Sequence, residues 1–135
     1  MGLPTTLDIK RCRYGSAALR VLEGWEILWC EYDDDYQGEC TIFATHFETG
    51  RYRILHWDWG SCKDCDLWES QGLTEEQIGR DMLSLCADFS SYESLIEWEL
   101  MVKKTTSDRF ASHYLYRALA YCRNTGTLKP SANPA

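Results

Sequence analysis

Three runs rich in β-branched and aromatic residues lie between Trp25 and Trp59, separated by two clusters of turn-forming residues. No other feature constrains the fold as strongly, because such runs pair most readily as neighbouring antiparallel strands. In the first run, Trp25–Tyr32, Trp25, Ile27 and Trp29 alternate with Glu26, Leu28 and Cys30. Asp33 to Gly38 breaks it, since Asp disfavours a strand and Gly permits positive φ. Glu39–Phe47 and Tyr52–Trp59 read as the second and third strands, with Glu48-Thr49-Gly50-Arg51 as a hairpin turn. Centring that turn on Thr49-Gly50 pairs Phe47 with Tyr52, Thr45 with Ile54 and Phe43 with His56. Strand alternation then puts His46 and His56 on opposite faces, so they share no metal in this register.

Beyond Trp59 the apolar period changes from two to 3.6. Thr74-Glu75-Glu76-Gln77 is a capping box opening a helix over about 75–88, with Ile78, Met82, Leu85 and Phe89 as its apolar stripe. Ser91 caps a helix over about 92–104 carrying Leu95, Trp98 and Val102. Ser107 or Asp108 caps a third over about 109–123, with Phe110, Tyr114, Ala118 and Tyr121 on one face and Asn124–Gly126 as its stop. Near the N-terminus, residues 1–15 show no clear period and read as an arm or a short helix; Ser16 caps a short helix over about 17–23 that Gly24 ends, the alternative being that Leu19–Leu22 already belong to a strand. Segregated strands and helices predict an α+β fold: a three-stranded antiparallel meander over about 25–59, with C-terminal helices covering one face. A chain of 135 residues suits one domain, 1–127, and residues 128–135, with two prolines and small residues, read as a disordered tail.

The formal net charge of −7 argues against direct nucleic-acid binding, which needs clustered Lys and Arg. It suits a protein partner with a basic surface. Seven cysteines without an apolar signal-like run in residues 1–10 point to a reducing cytoplasm with free thiols. No apolar run approaches membrane-spanning length, so no membrane partner is expected.

The unusual chemistry concentrates from Asp33 to Asp66. Asp33, Asp34, Asp35 and Tyr36 in the first turn, with Trp59, Asp64 and Asp66 around the last, are the candidate partner-binding residues. Two strands joined by one hairpin put their outer ends together, so these two turns are predicted neighbours. Asp35-Tyr36-Gln37-Gly38 followed by Trp59-Gly60-Ser61-Cys62, Cys65 and Asp66 resembles a family of short phage and bacterial proteins. Those proteins pair a D-Y-Q-G turn with a [YW]-G-S-C-x-x-C-D loop. The resemblance covers about residues 22–70 and implies a phage or bacterial cytosolic origin, hence a location in the cytoplasm of a bacterial host. Lys63-Asp64 stands where small residues are usual between the two cysteines.

Zinc is the one cofactor the sequence leaves open. Cys62 and Cys65 supply two candidate ligands, and the others would have to converge from Cys30, Cys40, Cys86, His46 or His56. A redox role for the pair is opposed by Asp58, Asp64 and Asp66, which disfavour thiolate. The Asp run lacks calcium-loop spacing, and Ser61 lacks the second glycine of a nucleophile elbow. Trp25, Trp29, Trp57 and Trp59 with Arg51 and Arg53 could stack on a nucleotide, against the plainer reading that these rings form the core. With no catalytic set, the composition favours a small acidic interaction protein, of the kind a phage uses to inhibit a host nuclease or defence protein. The alternative is a zinc-binding or nucleotide-binding module built on Cys62 and Cys65 or on the Trp/Arg strand.

Overall fold

The computed structural model describes residues 6–33, 38–60, 67–104 and 109–127. The fold is α+β. Helices α1 (Thr6–Arg11) and α2 (Gly15–Val21) precede strands β1 (Trp25–Asp33), β2 (Gly38–His46) and β3 (Tyr52–Trp59). Then come α3 (Leu67–Ser70), α4 (Glu75–Leu85), β4 (Ala87–Phe89), α5 (Tyr92–Lys104) and α6 (Arg109–Thr125). The strands form one sheet in the order β1-β2-β3-β4.

The fourth strand corrects the predicted meander. The capping box forms as expected: Gln77 N–H donates to Thr74 Oγ1 at 3.2 Å and Thr74 N–H donates to Gln77 Oε1 at 2.9 Å. The helix stops at Leu85 rather than near residue 88, because Cys86 turns extended. Ala87, Asp88 and Phe89 then pair antiparallel with Ile54, Arg53 and Tyr52. Arg53 holds the pairing with a fork of two 2.7 Å bonds to Asp88. Phe89 is therefore a buried strand residue and not part of the α4 stripe, and Leu85 is 57% exposed. Ile78 and Met82 are the two stripe residues that α4 buries.

The β2–β3 register is displaced by two residues from the one read in sequence. His46 N–H donates to the Arg51 carbonyl at 2.8 Å, and Thr41 lies beside His56. The turn is correspondingly wider, with Gly50 at φ 70° and Phe47 outside the strand and 69% exposed. An even displacement preserves facing, so alternation along β2 still sets Thr41 and His46 on opposite sides of that strand.

Backbone contacts divide the chain into two compact units. The first takes Met1–Glu23, Cys30–Ile42 and Leu55–Cys86. Its core holds Ile9, Ala17, Ala18, Leu22, Ile42, Leu55, Trp57 and Met82. In it α2 packs on α1 and α4, and the Trp57 indole N–H donates to the Arg13 carbonyl at 2.8 Å, which ties β3 to the α1–α2 turn. The helix expected over 17–23 runs instead over Gly15–Val21, and the stretch read as an arm or a short helix contains α1. Tyr14, not Ser16, precedes α2, at φ 68° and with no side-chain cap. A Cβ on Gly15 would overlap the Ile9 carbonyl, so glycine is what allows this tight α1–α2 turn.

The second unit takes Gly24–Trp29, Phe43–Ile54 and Ala87–Ala135. Here α6 buries Leu115, Ala118, Leu119 and Cys122; of the stripe read from Phe110, Tyr114, Ala118 and Tyr121, Ala118 is buried and Tyr121 half-buried, and the side chains of the other two lie outside the described residues. The Cys122 thiol donates to the Leu28 carbonyl at 3.9 Å, which places α6 against β1. Ser91 caps α5 as expected, accepting from Ser94 N–H at 3.1 Å, and Phe89 meets Trp98 edge-on. Glu99 is buried in a fork with Arg123, at 2.8 and 3.1 Å. Helices covering a single face would leave β2 alternately exposed. Instead Cys40 through Ala44 are all buried, which requires cover on both faces of β2. The predicted tail, 128–135, lies outside the described residues.

Candidate functional site

The first unit brings the outer ends of β1, β2 and β3 together, and Gly38 is the residue that permits it. A Cβ at position 38 would overlap both the Trp59 indole and the Asp33 carbonyl. The residues that flank the two turns, Asp33 and Gly38 on one side and Trp59 and Gly60 on the other, therefore share one end of the strands. Asp33 is exposed there. Trp59 is buried with its indole against Gly38, so it presents no open ring face to a partner. Asp34, Asp35, Tyr36, Cys62, Asp64, Cys65 and Asp66 lie outside the described residues.

The turn between α1 and α2 braces this end, which sequence reasoning missed. Arg13 Nη1 donates to the Gly60 carbonyl at 3.2 Å and to Glu69 Oε2 at 3.4 Å. Tyr14 packs edge-on against Trp68, with ring centroids 4.9 Å apart. The Trp68 indole N–H in turn donates to Asp81 at 3.2 Å. Residues on both sides of the 61–66 segment are thus tied to the same turn. Arg13 is separated from Gly60 by 47 positions, and nothing in local spacing signals that contact.

Acidity dominates the strand segments of this unit. Glu31 and Asp33 of β1, Glu39 of β2 and Asp58 of β3 lie on them, and segments 30–33, 38–42 and 55–59 contain no Lys or Arg. Glu39 and Asp58 both act on His56. Burial lowers the His56 pKa from 6.5, and those two carboxylates oppose the shift. The lowered value keeps the imidazole neutral near pH 7, with Nδ1 2.6 Å from Thr41 Oγ1. Alternation carried the signal for this grouping, since 56 and 58 share a face of β3, as 39 and 41 do of β2.

The other residues weighed for zinc have separate partners. The His46 Nδ1 accepts from the Glu48 and Thr49 N–H groups, and its ring meets Trp25 edge-on at 5.1 Å. The Cys86 thiol donates to the Met82 carbonyl at 3.3 Å. Cys30 and Cys40 meet each other, with Sγ atoms 3.8 Å apart. Among the described residues, no group of three His, Cys, Asp or Glu side chains is arranged to hold a metal ion. The stacking surface considered for a nucleotide is occupied by the protein itself. Trp29, Trp57 and Trp59 are buried, and Arg53, already paired with Asp88, lies over the Trp25 ring at 4.3 Å. No helix among the described residues is long and apolar enough to cross a membrane. No protein-family profile matches the sequence, and neither a curated protein nor a solved structure matches it.

Proposed function

We propose that this chain is a small acidic interaction protein whose binding surface is the Asp33–Gly38–Trp59 end of the sheet. Its partner is a protein with a basic surface, such as a nuclease or another nucleic-acid-binding protein that a phage would inhibit. The observation that carries the reading is the charge at that end. Four carboxylates, Glu31, Asp33, Glu39 and Asp58, sit on strand segments whose sequence contains no Lys or Arg. The nearby Arg13 is directed at the Gly60 carbonyl and Glu69. Fixed negative charge on a braced scaffold speeds encounter with a positive surface and excludes partners of like charge. It also disfavours nucleic acid itself as the ligand.

The test is a salt titration of binding to a basic nuclease or DNA-binding protein, with the chain and with a variant carrying Asp33→Asn, Asp34→Asn and Asp35→Asn. Association at low salt should slow by about tenfold or more in the variant, and the difference should shrink as salt screens the charges. Equal association rates for the two proteins at every salt concentration would remove the basis for the acidic surface.

A further inference from the structure

Three thiols converge inside the first unit, and the partner reading uses none of them. Cys12 comes from the turn after α1, Cys30 from β1 and Cys40 from β2, and all three are buried and unbridged. The Cys30 and Cys40 sulfurs are 3.8 Å apart, and Cys40 is hydrogen-bonded to Cys12 as well. Those two hydrogen bonds and burial push the Cys40 pKa far up, so Cys40 rests as a neutral thiol at the centre of the trio.

One of the three also borders open space. A cavity of about 300 Å³ is lined by Lys10, Cys12, Tyr14, Ser16, Glu75 and Ile78, among others. Lys10, Ser16 and Glu75 are exposed and form its rim, while Cys12 and Ile78 are buried and form its floor. The size and the polar rim suit a small, polar reagent. The rim carries one cation, Lys10, and one carboxylate, Glu75, which pairs with Arg20 at 3.2 Å.

We infer that Cys12, Cys40 and Cys30 form a peroxide-sensitive thiol site, oxidised by a small hydroperoxide that reaches Cys12 through this cavity. In the first step the Cys12 sulfur attacks the hydroperoxide. An S–O bond forms and the O–O bond breaks, and the departing alkoxide takes the thiol proton to leave as an alcohol, or as water from hydrogen peroxide. Cys12 is then a sulfenic acid, oxidised by two electrons. The Cys40 thiol attacks that sulfur next. The S–S bond forms, the S–O bond breaks, and hydroxide leaves as water with the Cys40 proton. Cys30 can then attack Cys40, giving a Cys30–Cys40 disulfide and returning a proton and a free thiol to Cys12.

The experiment treats the full chain with hydrogen peroxide under native conditions, alkylates remaining thiols in denaturant and maps the linked peptides. The expected product joins Cys40 to Cys12 or to Cys30. Cys12→Ser should slow that oxidation by about tenfold or more, whereas Cys122→Ala, which removes a buried thiol of the other unit, should not. The inference is overturned if Cys40 remains alkylatable, if Cys12→Ser leaves the rate unchanged, or if the trio oxidises only at urea concentrations that unfold the chain. Should Cys12→Ser not fold, limited native labelling of the wild-type chain with iodoacetamide decides the question. Cys12 modified before Cys40 and Cys30 supports the cavity route, and the reverse order overturns it.

Discussion

The Trp59 indole lies directly against the Cα of Gly38, at the point where β3 ends and β2 begins. That contact brings together the described residues that flank the two predicted turns. Gly38→Ala would drive a methyl group into the ring and into the Asp33 carbonyl. Urea denaturation should show a loss of about 1–3 kcal/mol, the usual cost of forcing an extra carbon into a packed site. A Cβ at Gly50 meets nothing within 4 Å, so Gly50→Ala carries only the penalty of its φ of 70°, about 1–2 kcal/mol. An unchanged stability in Gly38→Ala would mean that the Trp59 contact leaves room for the methyl group.

His56 should make stability depend on pH. Its folded pKa is lowered from 6.5, first by burial, so the unfolded chain takes up the proton more readily. The contribution is fully present above the unfolded value. It declines as pH falls through about 6.5 toward the lower folded value, and becomes constant below that. Urea midpoints measured from neutral pH downward should show this decline. His56→Gln keeps a hydrogen-bonding group beside Thr41 but does not titrate, and should flatten the profile in that window. An unchanged slope in the variant would assign the pH dependence to other groups.

The three-residue strand β4 depends on Arg53 and Asp88. The Arg53 side chain is 12% exposed, and it both forks onto Asp88 and covers Trp25. Asp88→Ala leaves a partly buried guanidinium without its carboxylate and should cost about 1–3 kcal/mol. Hydrogen exchange should accelerate first at the amides of residues 87–89. Faster exchange spread evenly over the chain would indicate global destabilisation and not release of this edge.

Elements with a long or locally encoded signal were legible in the sequence. The alternation in 25–59 located β1 to β3, and the Thr74–Gln77 box marked the start of α4, since those hydrogen bonds lie within a few residues of each other. The strand β4 was not legible. Three residues carry no period, and Phe89 follows Leu85 at helical spacing, so the stripe appeared to continue. The residues paired with β4 lie some 35 positions away, as Arg53 and Asp88 show. The β2–β3 register failed by two residues because a wider turn around Gly50 is as compatible with its composition as a tight one.

The sequence by itself determined the α+β class, the order of its principal strands and helices and the acidity of the central stretch. Each follows from local periodicity, side-chain capping or composition. Tertiary structure alone decided that Arg13 braces Gly60, that Trp59 supports Gly38 and that Cys12 joins Cys30 and Cys40. Those contacts join residues far apart in the chain. Their cost is the entropy of closing long loops, offset by burial that appears only when the whole unit packs.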